Sequence, residues 1–252
     1  MNNHTRRNFI KSTSIAAVTA LALPEIVSAA MPEINGKRIE LNKDDVILFQ
    51  GDSITDWGRD YKSTSPNTTN ILGPGYPIMA AGQLLLTHPD KNLQIYNRGI
   101  GGQKAFELLK RWDTDCIALK PTVVSILVGV NDFWHRLTFN YEGTVDTYSA
   151  AYKQLLDKTK KELPGVKLII GEPFAVKNVK AVDDKWYPEF NRYRKAAKDL
   201  AVQFDAAFIP YQTIFDKALR SAPGSYWTID GVHPSVAGEA LMAQAWLQTV
   251  KY

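Results

Sequence analysis

Thr122-Val123-Val124-Ser125-Ile126-Leu127-Val128-Gly129-Val130-Asn131-Asp132 is the most informative stretch of the chain. Its first seven residues are almost all β-branched or apolar, the composition of a strand buried on both faces. It then runs into a glycine and short polar residues. Two similar runs precede it, Asp45-Val46-Ile47-Leu48-Phe49-Gln50 and Leu93-Gln94-Ile95-Tyr96. Two follow, Val166-Lys167-Leu168-Ile169-Ile170 and Ala206-Ala207-Phe208-Ile209. Amphipathic stretches between them read as helices over 77–86, 106–119, 145–163, 186–204 and 211–219. A last helix over 236–250 has Ser235 as its N-cap. Strands alternating with helices predict right-handed crossovers and a mostly parallel sheet. The expected fold is α/β: a flavodoxin-like three-layer α/β/α sandwich with a five-stranded parallel sheet.

Residues 1–30 stand apart from this pattern. Thr5-Arg6-Arg7-Asn8-Phe9-Ile10-Lys11 is basic, Ser14 to Leu23 is apolar, and Val27-Ser28-Ala29-Ala30 supplies small residues. That is the layout of an export signal peptide, and the arginine pair resembles the twin-arginine (Tat) type. An ordinary Sec signal is the alternative. Either places the protein outside the bacterial cytoplasm, periplasmic or secreted. The apolar run is shorter than the roughly 20 residues of a membrane helix, so no integral membrane span is expected once the signal is removed. Residues 31–252 read as one domain. The whole chain has a formal charge of +4; without residues 1–30 it is +2, which gives no case for a nucleic-acid partner. A lone cysteine, Cys116, excludes a disulfide framework.

In open parallel sheets, ligands bind outside the carboxyl ends of the strands. The first strand runs into Gly51-Asp52-Ser53-Ile54-Thr55-Asp56, the second into Asn97-Arg98-Gly99-Ile100-Gly101-Gly102, and the third into Gly129-Val130-Asn131-Asp132. Asp230-Gly231-Val232-His233-Pro234-Ser235 comes just before the last helix. A serine hydroxyl needs an adjacent base to attack at neutral pH. Outside residues 1–30 the only histidines are His88, His135 and His233. His233 has a carboxylate, Asp230, three residues before it within a tight turn. Asp230 can hold the imidazole Nδ1–H and leave Nε2 to face Ser53. An oxyanion would need donors: the backbone N–H groups of Ser53 and Gly102 and the amide of Asn131. Gly99 and Gly101 are rivals to Gly102. Asp52 and Asp132 read as residues that hold their loops in place.

Taken together, these blocks resemble the SGNH hydrolases, also called the GDSL family. The resemblance covers nearly the whole chain from Val46 to about Leu247. It rests on Gly51-Asp52-Ser53-Ile54-Thr55, on Asn97 followed by Gly102, on Gly129 to Asp132, and on Asp230 with His233. Ile54 departs mildly from the leucine common in the first block. The resemblance implies a serine esterase working through an acyl-serine, with Ser53, Asp230 and His233 catalytic. Ser53, Gly102 and Asn131 would form its oxyanion hole.

The substrate expected is a small-molecule or polysaccharide ester, with a short acyl group such as acetyl on a carbohydrate. A lysophospholipase or thioesterase is the alternative, and a carbohydrate-binding protein without activity a more distant one. Trp57, with Arg59 and Tyr61 in the polar segment 57–75, reads as one substrate wall. Lys177 to Pro188, with Trp186 and Tyr187, reads as another, and His135 and Trp227 as further substrate-binding residues. No cofactor or metal is expected. Gly99 to Lys104 lacks the last glycine of a dinucleotide loop, and neither a P-loop nor a His-Glu-x-x-His motif occurs.

Overall fold

The computed structural model describes residues 36–252; the export-signal reading of residues 1–30 lies outside the described residues. Seven strands occur among the described residues. They are β1 (Ile39–Glu40), β2 (Val46–Gly51), β3 (Gln94–Asn97), β4 (Val123–Leu127), β5 (Lys167–Gly171), β6 (Ala207–Ile209) and β7 (Val250–Lys251). The longer helices are α1 (Tyr76–Thr87), α2 (Val130–Thr138), α3 (Val145–Glu162), α4 (Phe190–Gln203), α5 (Tyr211–Ala218) and α6 (Val236–Gln248).

Strands β2 to β6 form one parallel sheet in the order β3-β2-β4-β5-β6, the flavodoxin-like arrangement. Their registers align Gly51 with Leu127, Leu127 with Gly171, and Gly171 with Ile209. Four carboxyl ends therefore stop along a single row, and the loops that follow share one rim. The interior strand β4 is buried along its whole length, as its apolar composition requires. Helices α1, α5 and α6 pack together on one face, while α3 and α4 pack on the other.

Three departures from the sequence reading have physical causes. The stretch read as one helix over 106–119 is broken into Ala105–Lys110, Trp112–Asp115 and a 3-10 turn. The break at Arg111 sends Trp112 into the core, where its indole N–H donates to Thr159 Oγ1 at 2.8 Å. It also frees the Arg111 guanidinium to reach the Arg98 carbonyl and Asp115. The fourth predicted helix starts only at Phe190, after Pro188. Helix α2 was not expected. Beyond these, β1 and β7 pair in parallel as a separate two-stranded ladder.

The polar segment 57–75 is not free-standing. The Asn67 side chain donates to the Leu93 carbonyl and accepts the Ile95 N–H, so it covers the outer edge of β3. Among the described residues no helix is long and apolar enough to cross a membrane.

Candidate active site

The β2 tip sets the position of Ser53. Gly51 packs so tightly against β4 that a Cβ there would run into the Leu127 carbonyl. Asp52 then caps the short helical turn Ser53–Asp56, its Oδ1 accepting the Ile54 N–H at 3.1 Å. This holds Ser53 half-buried at the rim with its hydroxyl toward the cleft. The Asp52 carboxyl is wholly buried and its Oδ2 finds no partner among the described residues. Burial pushes it up to about 7, against the opposing pull of the Ile54 N–H and of His233.

Asp230 and His233 stand in a turn closed from several sides. Asp230 Oδ1 accepts the N–H groups of Val232 and His233 at 2.9 and 2.8 Å, and Ile229 donates to the His233 carbonyl. The turn is anchored to a neighbouring loop through Val176 N–H to Gly231 and Ala181 N–H to Asp230. Asp230 Oδ2 lies 2.7 Å from His233 Nδ1, and His233 Nε2 lies 2.9 Å from Ser53 Oγ. The hydrogen bond to Asp230 raises the His233 pKa above its ordinary value, against the effect of burial. Burial pushes Asp230 up, but the hydrogen bonds from His233 and Val232 outweigh it and bring it down to about 2. Asp230 therefore stays ionised across the neutral range and fixes the imidazole with Nε2 facing Ser53.

The glycine loop after β3 lies beside Ser53: a Cβ on Gly101 would come within 3.8 Å of the Ser53 Cβ. The three loop glycines differ in one respect. The Gly99 N–H donates to Asn97 Oδ1 and the Gly101 N–H to Asp56 Oδ2, each at 2.8 Å. The Gly102 N–H has no partner among the described residues, nor does that of Ser53. Gly102 has φ +76, which presents its N–H differently from its neighbours. Asn131, near the start of α2, uses one amide hydrogen on the Gln103 carbonyl at 3.2 Å and keeps the other. Asp132 accepts the Ala105 N–H at 3.2 Å, so α2 and the glycine loop are clamped together. Burial pushes the Asp132 carboxyl up to about 7. Three unspent N–H donors thus border a serine already bonded to an Asp-supported histidine, the requirement of acyl transfer.

Other sequence-predicted positions are placed less uniformly. Trp57 stands at the mouth, its ring 5.9 Å from that of His233. His135 lies one turn along α2 from Asn131, with Nδ1 3.2 Å from Lys104 Nζ rather than against Ser53. Trp227 is corrected: it is buried, its indole N–H donating to the Ala218 and Ala222 carbonyls, and it packs as core rather than as a substrate wall. Trp186 is likewise buried. Arg59 turns inward, its Nε donating to the Gly99 carbonyl at 2.8 Å, while Tyr61 remains exposed above it. Sequence reasoning missed Asp56 and Trp134. The signal for Trp134 is its spacing: three residues after Asn131 on a helix, it shares that residue's face.

Residues 49–241 match the GDSL-like lipase/acylhydrolase family. An acetylxylan esterase of Geobacillus stearothermophilus is 32% identical over 218 residues, covering 85% of this chain and 97% of that protein. The crystal structure of that esterase has a TM-score of 0.74 at 30% identity, covering 83% of this chain and 95% of its own. Its solved catalytic mutants replace a serine, a histidine and an aspartate, the aspartate three positions ahead of the histidine. A crystal structure from Parabacteroides merdae assigned as a GDSL-like lipase is 48% identical, with a TM-score of 0.83 over 84% of this chain and 98% of that one. With the fold, the match over most of the chain and these relatives in agreement, the chain belongs to the GDSL-like lipase/acylhydrolase family and is a carboxylic ester hydrolase.

Proposed function

We propose that Ser53 is the nucleophile of a serine esterase that removes short acyl groups, acetyl above all, from carbohydrates. The observation that carries the first half is the continuous relay of 2.7 Å from Asp230 to His233 and 2.9 Å from His233 to Ser53. His233 takes the Ser53 proton as Oγ attacks the ester carbonyl. The N–H groups of Ser53 and Gly102 and the free amide hydrogen of Asn131 receive the developing oxyanion. The imidazolium, held by Asp230, then protonates the leaving alcohol, and the acyl group remains on Ser53. Water, activated by the same imidazole, cleaves that ester and restores the serine.

Ser53→Ala tests this. The variant keeps the fold and loses turnover of 4-nitrophenyl acetate; retention of the parent rate overturns the assignment. The carbohydrate half is supported by the acetylxylan esterase at 32% identity, of which this chain covers 97%. Acetate release from acetylated xylan, with a series of 4-nitrophenyl esters from acetyl to palmitoyl, is the measurement. Activity rising toward long chains would favour the lysophospholipase or thioesterase alternative instead. In this reading residues 1–30 serve as an export signal. Sequencing the N-terminus of protein recovered outside the cytoplasm tests that part.

A further inference from the structure

We propose that Trp57 and Trp134 form a slot that reads the alcohol half of the ester, and that the slot is built for a saccharide ring. The inference rests on the serine-esterase reading above. In that chemistry the imidazole hands its proton to the leaving alcohol, so the alcohol oxygen must sit at His233 Nε2. Groups that flank the His233 ring therefore meet the alcohol, whereas the carbonyl oxygen lies toward Gly102 and Asn131. Two indoles flank that ring. The centroids of Trp57 and Trp134 each lie 5.9 Å from it, tilted by 42° and 55°.

Trp134 packs against the core only from its edge, and Trp57 is no part of the core. Both are half-buried at the rim, unlike Trp112, Trp186 and Trp246, which are fully enclosed. Trp134 is the outer member of a file of aromatic rings: Trp186 stands 5.8 Å behind it and Phe190 5.3 Å behind Trp186. Its exposed face is thus braced from the interior.

Trp57 carries the stronger argument. Its backbone is left-handed, φ 42 and ψ 35, where a bulky side chain is strained by about 1–3 kcal/mol and glycine is not. The turn needs only the Trp57 N–H, which donates to the Ser53 carbonyl at 3.0 Å. Glycine would supply that bond without strain. The neighbouring loop also makes room for this side chain: any Cβ on Gly75 would come within 2.9 Å of the Trp57 Cβ. A strained indole held beside the proposed base is a feature to be explained by what it contacts. A pyranose presents an apolar C–H face and a polar edge. A broad aromatic face with a wet rim matches that division better than it matches a flexible acyl tail.

The test compares two acetyl esters that differ only in the alcohol: an acetylated methyl xyloside and ethyl acetate. Trp57→Leu and Trp134→Leu keep apolar bulk and remove the flat face; Trp57→Phe keeps a flat face. The ratio of kcat/KM, saccharide over ethyl, falls about tenfold in each Leu variant, the size of one aromatic contact. It stays within about threefold of the parent in Trp57→Phe. A ratio within about twofold of the parent in both Leu variants overturns the slot. Should a Leu variant fail to fold, the Ser53→Ala protein is titrated with acetylated xylobiose instead. A change in indole emission is then expected, and none up to the solubility limit overturns the proposal. A serine-directed fluorophosphonate separates the two layers. No label on Ser53 of the parent defeats the esterase reading and the slot together. Label on Ser53 with an unchanged ratio defeats the slot alone.

Discussion

The Asp56 carboxylate accepts the Gly101 N–H at 2.8 Å, which ties the turn that carries Ser53 to the loop that carries Gly102. The same carboxylate receives the Tyr61 hydroxyl at 2.5 Å and the Arg59 N–H at 3.2 Å. Arg59 in turn holds the Gly99 carbonyl. Asp56 touches no reacting atom in this arrangement; it positions the donors. Asp56→Ala is expected to lower kcat by on the order of 10–100-fold while KM stays within about threefold, because a small misplacement of the donors acts mainly on the transition state. Asp56→Asn keeps an acceptor oxygen and falls between. Steady-state kinetics on both variants decides the matter; a loss confined to KM would contradict it.

Two glycines offer a contrast between chemistry and folding. Gly102 has φ +76 and open space where a Cβ would go, so Gly102→Ala meets backbone strain but no clash. If Gly102 is the oxyanion donor proposed, Ala keeps its N–H but strain at positive φ turns it off aim, and the expected result is a soluble protein with kcat reduced by up to roughly 10²-fold, the scale of one oxyanion donor. Gly51→Ala drives a methyl group into the Leu127 carbonyl. That variant is expected to lose stability first, seen as a lowered Tm or as insoluble protein. Equal effects of the two on Tm would refute the distinction.

In the proposed reaction His233 serves as a base only when neutral, and the hydrogen bond to Asp230 raises its pKa above the ordinary value of 6.5. The acidic limb of kcat/KM therefore belongs above pH 6.5, with activity rising as pH rises through it. Asp230→Asn removes the charge that raises it. The limb should move down, and the rate should drop by on the order of 10⁴-fold as the tautomer is lost. A pH profile of parent and variant that leaves the limb in place would count against this relay.

Glu239 on α6 gives a prediction about stability. Its Oε2 accepts the Tyr76 N–H at 2.5 Å, and its Oε1 has no partner among the described residues. Burial pushes the carboxyl up to about 8 from an unfolded value of 4.5. The folded state keeps its proton where the unfolded chain has lost it. The stability associated with this proton is complete below pH 4.5 and declines as pH rises, until the folded group titrates near 8. Glu239→Gln abolishes that dependence. Between pH 5 and 8 the parent should lose Tm relative to the variant, measured by thermal melts in matched buffers, and parallel curves would show the carboxyl to be irrelevant.

Much of the fold could be read because the strands are buried on both faces. Val123–Leu127 and Val46–Gly51 carry their signal in unbroken apolar runs, and the polar residues that end them mark the rim. That Ser53, Asp230 and His233 come together could be anticipated because each shows its chemistry in its immediate neighbours. What could not be read depends on partners distant in sequence. Which loop glycine keeps its N–H free is decided by Asn97 and Asp56, not by the loop. Helix α2 was hidden because its first turn, with Asn131 and Asp132, reads as a polar strand end. Without that helix Trp134 had no predicted place beside His233. Trp227 misled because an aromatic beside a site motif looks the same in sequence whether it faces the cleft or the core.

The small ladder of β1 with β7 has a consequence for how the molecule is made. Ile39 donates to Thr249 and Leu41 to Lys251, so β1 is completed by a strand very distant from it in sequence. The seam cannot close before residues 249–251 have been synthesised and have left the ribosome. Until then β1 lacks the strand it pairs with, so this corner depends on a contact that closes a very long loop of chain.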